Sequence, residues 1–422
     1  MTPNPSIMQA VEQLGYRVTA GDVATQAGLN IELAQQGLLT LASSAGGHMQ
    51  VAESGDVVYK FEPNFRSILR NKYLQLRLQA WWQQIWKVLF YLIRISFGIL
   101  LIASIILIYV AIIALMIAAN SSSNNNRSNH FSGASFFYFP DLFWYFGPNY
   151  NTQSPQQREE GELNFFAAIF SFLFGDGNPN ADLDARRWQE IAAVIRQNYG
   201  AVVAEQIAPY LDEIGQGYAQ EYEDYMLPVL LRFNGQPLVS PEGQIVYYFP
   251  ELQVTANKSQ RQPLSVYLQE FPWRFSAASS GQILLSVGLG GLNLIGALVL
   301  GDLFRHGVAA KLGGLIGFVH GIYWLLLGYG TAFFGVPLVR YFWIQWRNRQ
   351  IAARNQKRQA RAKLLVSADQ AIQEKIAYAR QFAKEKFIGQ EDLAYTTETD
   401  LLEQEAENSA KTDAEWQRRL QM

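Results

Sequence analysis

Between residues 88 and 119 the chain is apolar, with one base, Arg94, and no acid. A helix of that length matches a hydrocarbon core of about 30 Å with room for tilt, so the segment commits the chain to a bilayer before anything else is considered. Trp81, Trp82 and Trp86 precede it beside Lys87, the aromatic and cationic girdle that sits at headgroup level. Two further apolar blocks, 282–303 and 313–342, flank a short link holding Arg305, His306 and Lys311, and together they read as a helical hairpin. Gly313, Gly317 and Gly321 recur every four residues in the third block, and Ser286 and Gly290 are spaced alike in the second. This spacing predicts a small-residue stripe where helices approach closely, within the chain or between copies as a homo-oligomer. The aromatic runs 136–146 and 165–174 are too short for a helical span and read as interfacial.

Lys and Arg beside the spans set orientation. Residues 66–94 hold Arg66, Arg70, Lys72, Arg77, Lys87 and Arg94 with no acid, and 340–363 hold eight bases with no acid. Both flanks are expected on the cytoplasmic or stromal side, which demands an even number of crossings from three blocks. Either the run at 136–146 completes a return, or the third block breaks near Gly328 and Gly330 and crosses twice.

Outside the membrane the chain repeats itself. In 5–62, Ile7, Val11 and Leu14 share one helix face, Thr19 caps a second helix that Gly28 closes, a third runs over about 31–43, and a hairpin turns at Gly55. In 184–256, Ile191, Ile195, Val202 and Ile207 fall on Ile7, Val11, Val18 and Val23, while Gly243, Tyr247 and Phe249 fall on Gly55, Tyr59 and Phe61. Three helices and a hairpin are the order of a winged helix. The third helix would carry the bases of a DNA reader, yet 30–43 contains no Lys or Arg, and 218–233 sets Glu221, Glu223 and Asp224 against Arg232 alone. Without cations to meet phosphate, a nucleic-acid partner is not expected, and a membrane-tethered DNA regulator ranks last.

After the third block the residues 343–388 are expected to form one charged amphipathic helix. Its first bases, Arg347, Arg349, Arg354, Lys357, Arg358 and Arg361, stand where anionic headgroups attract about 1 kcal/mol per charge, which makes membrane lipid a partner. An acidic tail, 389–422, follows. The expected divisions are a winged-helix-like unit at 1–64, a basic interfacial helix at 65–87, the span 88–119 and a polar loop with aromatic segments at 120–183. A second winged-helix-like unit at 184–262, a linker at 263–281, the spans 282–303 and 313–342 and the two tail segments complete the chain. The fold class is thus a mostly α membrane protein with α+β soluble units, three to four transmembrane helices and a long C-terminal helix.

The chain has no cysteine, which excludes disulfides, thiol nucleophiles and cysteine-ligated clusters. Its 34 basic and 36 acidic residues give a net charge of -2, so no overall field draws a polyanion. The histidines at 48, 130, 306 and 320 fall at no metal-ligand spacing. His320 alone, inside the third block beside Gly317 and Gly321, is a candidate to ligate a haem or chlorophyll. The run Gly175-Asp-Gly-Asn-Pro-Asn180 lacks the distal bidentate Glu of a calcium loop and reads as a helix stop. No catalytic constellation stands out, and no enzyme is expected.

In Phe170-Ser-Phe-Leu-Phe-Gly-Asp-Gly-Asn-Pro-Asn180, Arg186-Arg-Trp188, Ala208-Pro-Tyr-Leu211, Tyr323-Trp-Leu-Leu-Leu-Gly-Tyr-Gly330 and Arg340-Tyr-Phe-Trp-Ile-Gln-Trp-Arg347, the chain resembles an integral membrane protein family of cyanobacteria and chloroplasts. The resemblance covers most of its length. It implies a thylakoid or related photosynthetic membrane, in cyanobacteria a thylakoid or plasma membrane, and no catalytic residues. The plant members' link to iron–sulfur cluster biosynthesis finds no cysteine here to support it. The expected role is a non-catalytic scaffold, assembly factor or accessory subunit that binds a photosynthetic membrane complex through its duplicated units, with a small-solute transporter or channel as the alternative.

Overall fold

The computed structural model describes residues 3–121 apart from 73, 164–256, 264–305, 313–400 apart from 368, and 402–404, 406 and 409. The described residues are mostly helical, with small sheets. They form two bodies. The first gathers residues 1–84, 178–272 and 347–422, and the second 85–177 and 273–346.

In the first body α1 (Pro5–Gln13) starts on Asn4, whose side chain accepts the Ser6 N–H. Strand β1 (Arg17–Thr19) leads into α2 (Ala20–Ala27) through a reciprocal cap: Asp22 N–H donates to Thr19 Oγ1, and Thr19 N–H donates to Asp22 Oδ2. Gly28 ends α2 at φ +64°, and Gly46 ends α3 (Ile31–Ala45) at φ +71°, left-handed closures that favour glycine. Strands β2 (His48–Ala52) and β3 (Val57–Lys60) pair antiparallel across the Gly55 turn, and β1 adds to the far side of β3. Phe65 and Leu69 of α4 (Phe65–Lys72) return to the same core.

The long α5 (Leu74–Ser121) and short α6 (Phe165–Phe174) belong largely to the second body. The chain then re-enters the first body with α7 (Leu183–Gln197), β4 (Ala201–Val202) and α8 (Ala204–Ile207). Next come α9 (Tyr218–Glu221), a short 3-10 turn and α10 (Leu227–Phe233), then the hairpin β5 (Gln236–Val239) and β6 (Ile245–Tyr248). The element closes with α11 (Pro250–Gln253) and β7 (Val254–Thr255).

The two segments close corresponding turns with the same bonds. Tyr59 stands opposite Val18 and Met49, and Tyr247 stands opposite Val202 and Pro237. Phe61 N–H donates to Tyr16 O and Phe249 N–H to Gly200 O, both at 2.8 Å. Gly15 and Tyr16 both take positive φ, as do Tyr199 and Gly200. The side chains of both segments fill one core, with Val11, Leu38 and Phe61 beside Ile195, Ile207 and Phe249.

The second body is built on α5, α6, α12 (Ser280–Arg305) and the membrane part of α13 (Leu315–Val366). Helices α5, α12 and α13 are long and apolar enough to cross a membrane. Helix α13 runs unbroken through Gly328, Gly330 and Pro337, so the third block does not cross twice. Gly330 sits against Leu294 of α12, and that packing holds a residue whose intrinsic preference is to break a helix. The run at 136–146 lies outside the described residues.

The tail departs from one continuous helix. Helix α13 ends at Val366, and α14 (Gln370–Ala379) is separate, followed by β8 (Lys386–Phe387) and β9 (Leu393–Thr396). Strand β8 pairs parallel with β7, and β9 adds to the outer edge of β2. The predicted acidic tail therefore begins inside the fold.

Candidate interaction site

Helix α3 buries Ile31, Ala34, Leu38 and Leu41 and turns Leu33 and Leu39 outward, 57% and 55% exposed. Glu32, Gln35, Gln36 and Ser43 share the exposed side, and no cation is present. The corresponding α10 exposes Leu227 and Leu231, 57% and 71%. Its single base, Arg232, is spent on the protein: it donates to Gly28 O at 2.5 Å and lies 4.3 Å over the Trp188 ring. Outward leucines without surrounding cations match the apolar core of a protein interface better than a phosphate backbone.

Three of the six arginines and lysines expected at headgroups are bound inside the first body. Arg358 is 1% exposed, pairs with Asp212 and with Glu270 at 2.9 Å, and donates to Leu268 O at 3.0 Å. Arg354 grips the Glu270 carboxylate at 2.8 and 2.6 Å, and Arg361 donates to Leu211 O at 2.8 Å and Ala208 O at 3.2 Å. These three fasten the end of α13 to the protein, and burial takes Arg358 out of reach of the headgroups expected for it; Arg347 is half-buried, while Arg349 and Lys357 are exposed. Burial opposes ionisation of Glu270, yet its bonds to Arg354 and Arg358 hold the carboxyl below its ordinary value. Burial pushes the nearby Glu190 carboxyl up, against Ser265, Arg186 and Arg358, and pushes Tyr210 up to about 12.

A second charged cluster holds α14. Lys375, with 8% of its side chain exposed, lies between Glu205 at 2.9 Å and Glu223 at 2.5 Å, and Tyr247 donates to Glu223 at 2.8 Å. A third centres on Asp22, 2% exposed, which takes Arg196 at 2.7 Å, Thr255 Oγ1 at 2.9 Å and Ala256 N–H at 3.1 Å. Neither cluster was visible in the sequence, because each joins residues far apart in the chain.

In the second body His320 is exposed, its ring edge-on to Phe304 at 5.0 Å. Gly313, Gly317 and Gly321 are exposed too, and a Cβ on Gly313 or Gly321 would meet nothing within 4 Å. Among the described residues, Gly313 and Gly321 line no close approach. Ser286 is fully buried, and a Cβ on Gly290 would meet the Phe333 ring. Further close approaches use Gly98 against Phe166, Gly296 against Ile108 and Gly301 against Tyr323, isolated glycines that no four-residue period marks. Among the described residues no group of His, Cys, Asp and Glu could hold a metal ion.

Helix α6 ends inside this body at a polar knot. Asp176 accepts from Arg94 at 2.7 Å, Ser171 Oγ at 2.6 Å and Ala277 N–H at 2.8 Å, and Ser276 meets Ser171 at 2.7 Å. Arg340 Nη1 caps the helix by donating to Phe172 O at 2.9 Å. Gly175 allows this twice over: its φ of +81° favours glycine, and a Cβ there would strike the Arg340 guanidinium. Arg94, the one base of the first apolar block, is the partner of Asp176.

The sequence is 39% identical over 430 residues to an uncharacterised chloroplastic protein of Arabidopsis thaliana, At5g03900, covering 98% of this chain and 81% of that one. The chain belongs to the family of that chloroplast protein. No protein-family model matches the sequence, and no solved structure matches it. Membership in this family, with three helices able to cross a membrane, agrees with the membrane and chloroplast side of the sequence resemblance.

Proposed function

We propose that this protein is a non-catalytic membrane scaffold or assembly factor, whose first body is a duplicated winged-helix unit that binds subunits of a photosynthetic, thylakoid-type membrane complex. The observation that carries the reading is the exposed, cation-free leucine face of α3, at the position where a winged helix reads its target, with outward leucines again on α10. The matching registers and turn bonds of the two segments support their origin as repeats. The chloroplastic relative supports the membrane assigned.

Chain connectivity supports one side of the membrane for the first body. Residues 1–84, 178–272 and 347–422 form one compact body, and such a body occupies one side of a bilayer, so an even number of crossings separates each pair of neighbouring segments. Helices α12 and α13 supply two between 272 and 347. The transporter reading is weaker: the C-terminal end of a broken helix could coordinate a transported cation, but at α6 that place is taken by Arg340.

A mild-detergent pulldown from the native membrane, repeated with Leu33→Asp and Leu39→Asp, tests the proposal. Stoichiometric co-elution of membrane-complex subunits that both variants abolish is the expected result, and an unchanged or partner-free eluate overturns it. An absorption spectrum of the same eluate tests His320: a Soret or chlorophyll band lost in His320→Ala would assign the cofactor.

A further inference from the structure

The first body treats its two equivalent sheet edges in opposite ways, and we infer that the β2 edge is a strand-acceptor site through which two copies of this chain exchange their tail strands. An edge strand presents unpaired N–H and C=O groups that will pair with any suitable strand unless they are blocked. On β5 the block is Pro237, which stands opposite Tyr247 and has no N–H. On β2 the corresponding residue is Met49, opposite Tyr59. Met49 N–H donates to Thr397 Oγ1 at 2.8 Å, Met49 O accepts from Thr397 N–H at 3.0 Å, and Glu53 N–H donates to Asp392 O at 3.0 Å. The β2 edge is therefore kept competent to accept a strand, and the tail fills it.

The tail strand is held in the manner of an added strand, by its main chain. None of Leu393, Ala394, Tyr395 and Thr396 is fully buried. Its side-chain ion pair, Lys60 with Glu398 at 2.6 Å, is exposed, 38% and 39%. The last fully buried residue before it is Ile388, in a cluster that half-buried Leu393 also joins. Between lie residues 389–392, a turn closed by Gly389 N–H on the Asp392 carboxylate at 2.8 Å. Opened, those four residues reach about 14 Å, enough for two facing β2 edges to trade strands. The occupant is a second copy because the segment 392–398 is complementary to this edge in hydrogen bonds and charge, and a neighbouring copy carries the same segment. Exchange forms no contact that the single chain lacks, the condition under which swapping costs little. Copies in one membrane share an orientation, so their edges meet by lateral diffusion alone.

The chain has no cysteine, so introduced thiols report without background. Val51 and Tyr395 are direct partners across the two strands. The double variant Val51→Cys with Tyr395→Cys is expected to form an intramolecular disulfide, and its failure to do so overturns the proposal at its base. Mixing full-length Val51→Cys with size-tagged Tyr395→Cys in the same liposomes, then oxidising mildly, is expected to give a covalent heterodimer. Adding Met49→Pro to the first copy, a change its own β5 shows the hairpin accommodates, is expected to reduce that heterodimer to the level of a mispaired Ser54→Cys control. A cis disulfide without heterodimer, or a heterodimer indifferent to Met49→Pro, overturns the exchange.

Discussion

Segments 5–61 and 189–249 place the same bonds at corresponding positions but face different neighbours, and their differences cluster where those neighbours lie. Shared are the turn closures, the Tyr59 and Tyr247 registers and the close fit of Gly47 under Phe61 and Gly235 under Phe249. Different are three features. The cap of the second helix is a Thr19–Asp22 pair in the first segment and a Val203 N–H bonded to Gln206 Oε1 at 3.1 Å in the second. The third helix is continuous in the first and interrupted, with Pro228 in its first turn, in the second. The outer edge is open at Met49 and closed at Pro237. The cap equips the first segment for contacts that the second cap does not make among the described residues: Asp22 reaches Arg196, Thr255 and Ala256, whereas Gln206 bonds Asn198 at 3.1 Å besides its own cap; the interruption of the third helix works the other way, placing Glu223 against Lys375. The common bonds shape both segments, and the divergent residues join each to its own neighbours, Asp22 to Arg196 and Glu223 to Lys375.

The largest test breaks that asymmetry at the cap. Asp22→Ala leaves the guanidinium of Arg196, 16% exposed, without its carboxylate, and removing one member of a buried pair costs about 3–5 kcal/mol. Gln206→Ala loses neutral bonds worth about 1 kcal/mol each. Denaturant unfolding followed by circular dichroism should separate the two variants by about 1–3 kcal/mol, the gap between one buried ion pair and two neutral bonds; equal losses would mean that Asp22 is only a cap. The pH dependence has a definite sign. Burial works against the Asp22 carboxylate, but Arg196 and the Thr19 and Ala256 N–H groups outweigh it, leaving the folded value below the ordinary 3.8. Its stabilisation is therefore complete above that value and fades as pH falls through the lower, folded one. Asp22→Ala should flatten the acid limb of the stability curve, and Gln206→Ala should leave it unchanged.

Equal effects are expected where the units coincide. Leu38 and Met226 are corresponding core positions, 0% and 1% exposed, so truncation of either to Ala should cost about 2–5 kcal/mol. A loss confined to Leu38→Ala would show that the interrupted third helix of the second segment does not share the core as its burial indicates. Smaller again, Gly47→Ala and Gly235→Ala each push a methyl into a phenyl ring, with Gly47 Cβ placed 2.7 Å from Phe61, and should each cost about 1–3 kcal/mol through overpacking. Thermal unfolding of the pair reads both.

What the sequence disclosed of this follows from range. The hairpins were legible because a turn glycine and alternating apolar residues lie within a dozen positions of one another, and Gly55 and Gly243 do turn them, at φ +85° and +84°. The three helices able to cross a membrane were legible because length and apolarity are properties of one segment. The fate of Arg354, Arg358 and Arg361 was not, since a run of bases looks the same whether it faces headgroups or, as here, Asp212 and Glu270 more than eighty residues away. Strands β8 and β9 were hidden for the same reason: two to four residues paired to distant strands carry no local period. Arg340 and Asp176 each lie beside an apolar segment, and only the chain's return brings them to one helix end.

The smallest change sharpens the comparison most. Pro237→Met gives β5 the residue that β2 carries, at a position where the proline donates nothing to its own hairpin, so stability should move by no more than about 0.5 kcal/mol. Association should move instead. With an N–H restored beside Leu238 and the 63%-exposed Val239, the second edge becomes a strand acceptor that no tail covers, and sedimentation in detergent should show larger assemblies than the parent chain forms at equal concentration. If the variant is as dispersed as the parent, the proline is not what keeps that edge bare, and Tyr378, whose hydroxyl donates to Val239 O at 3.4 Å, becomes the residue to replace next.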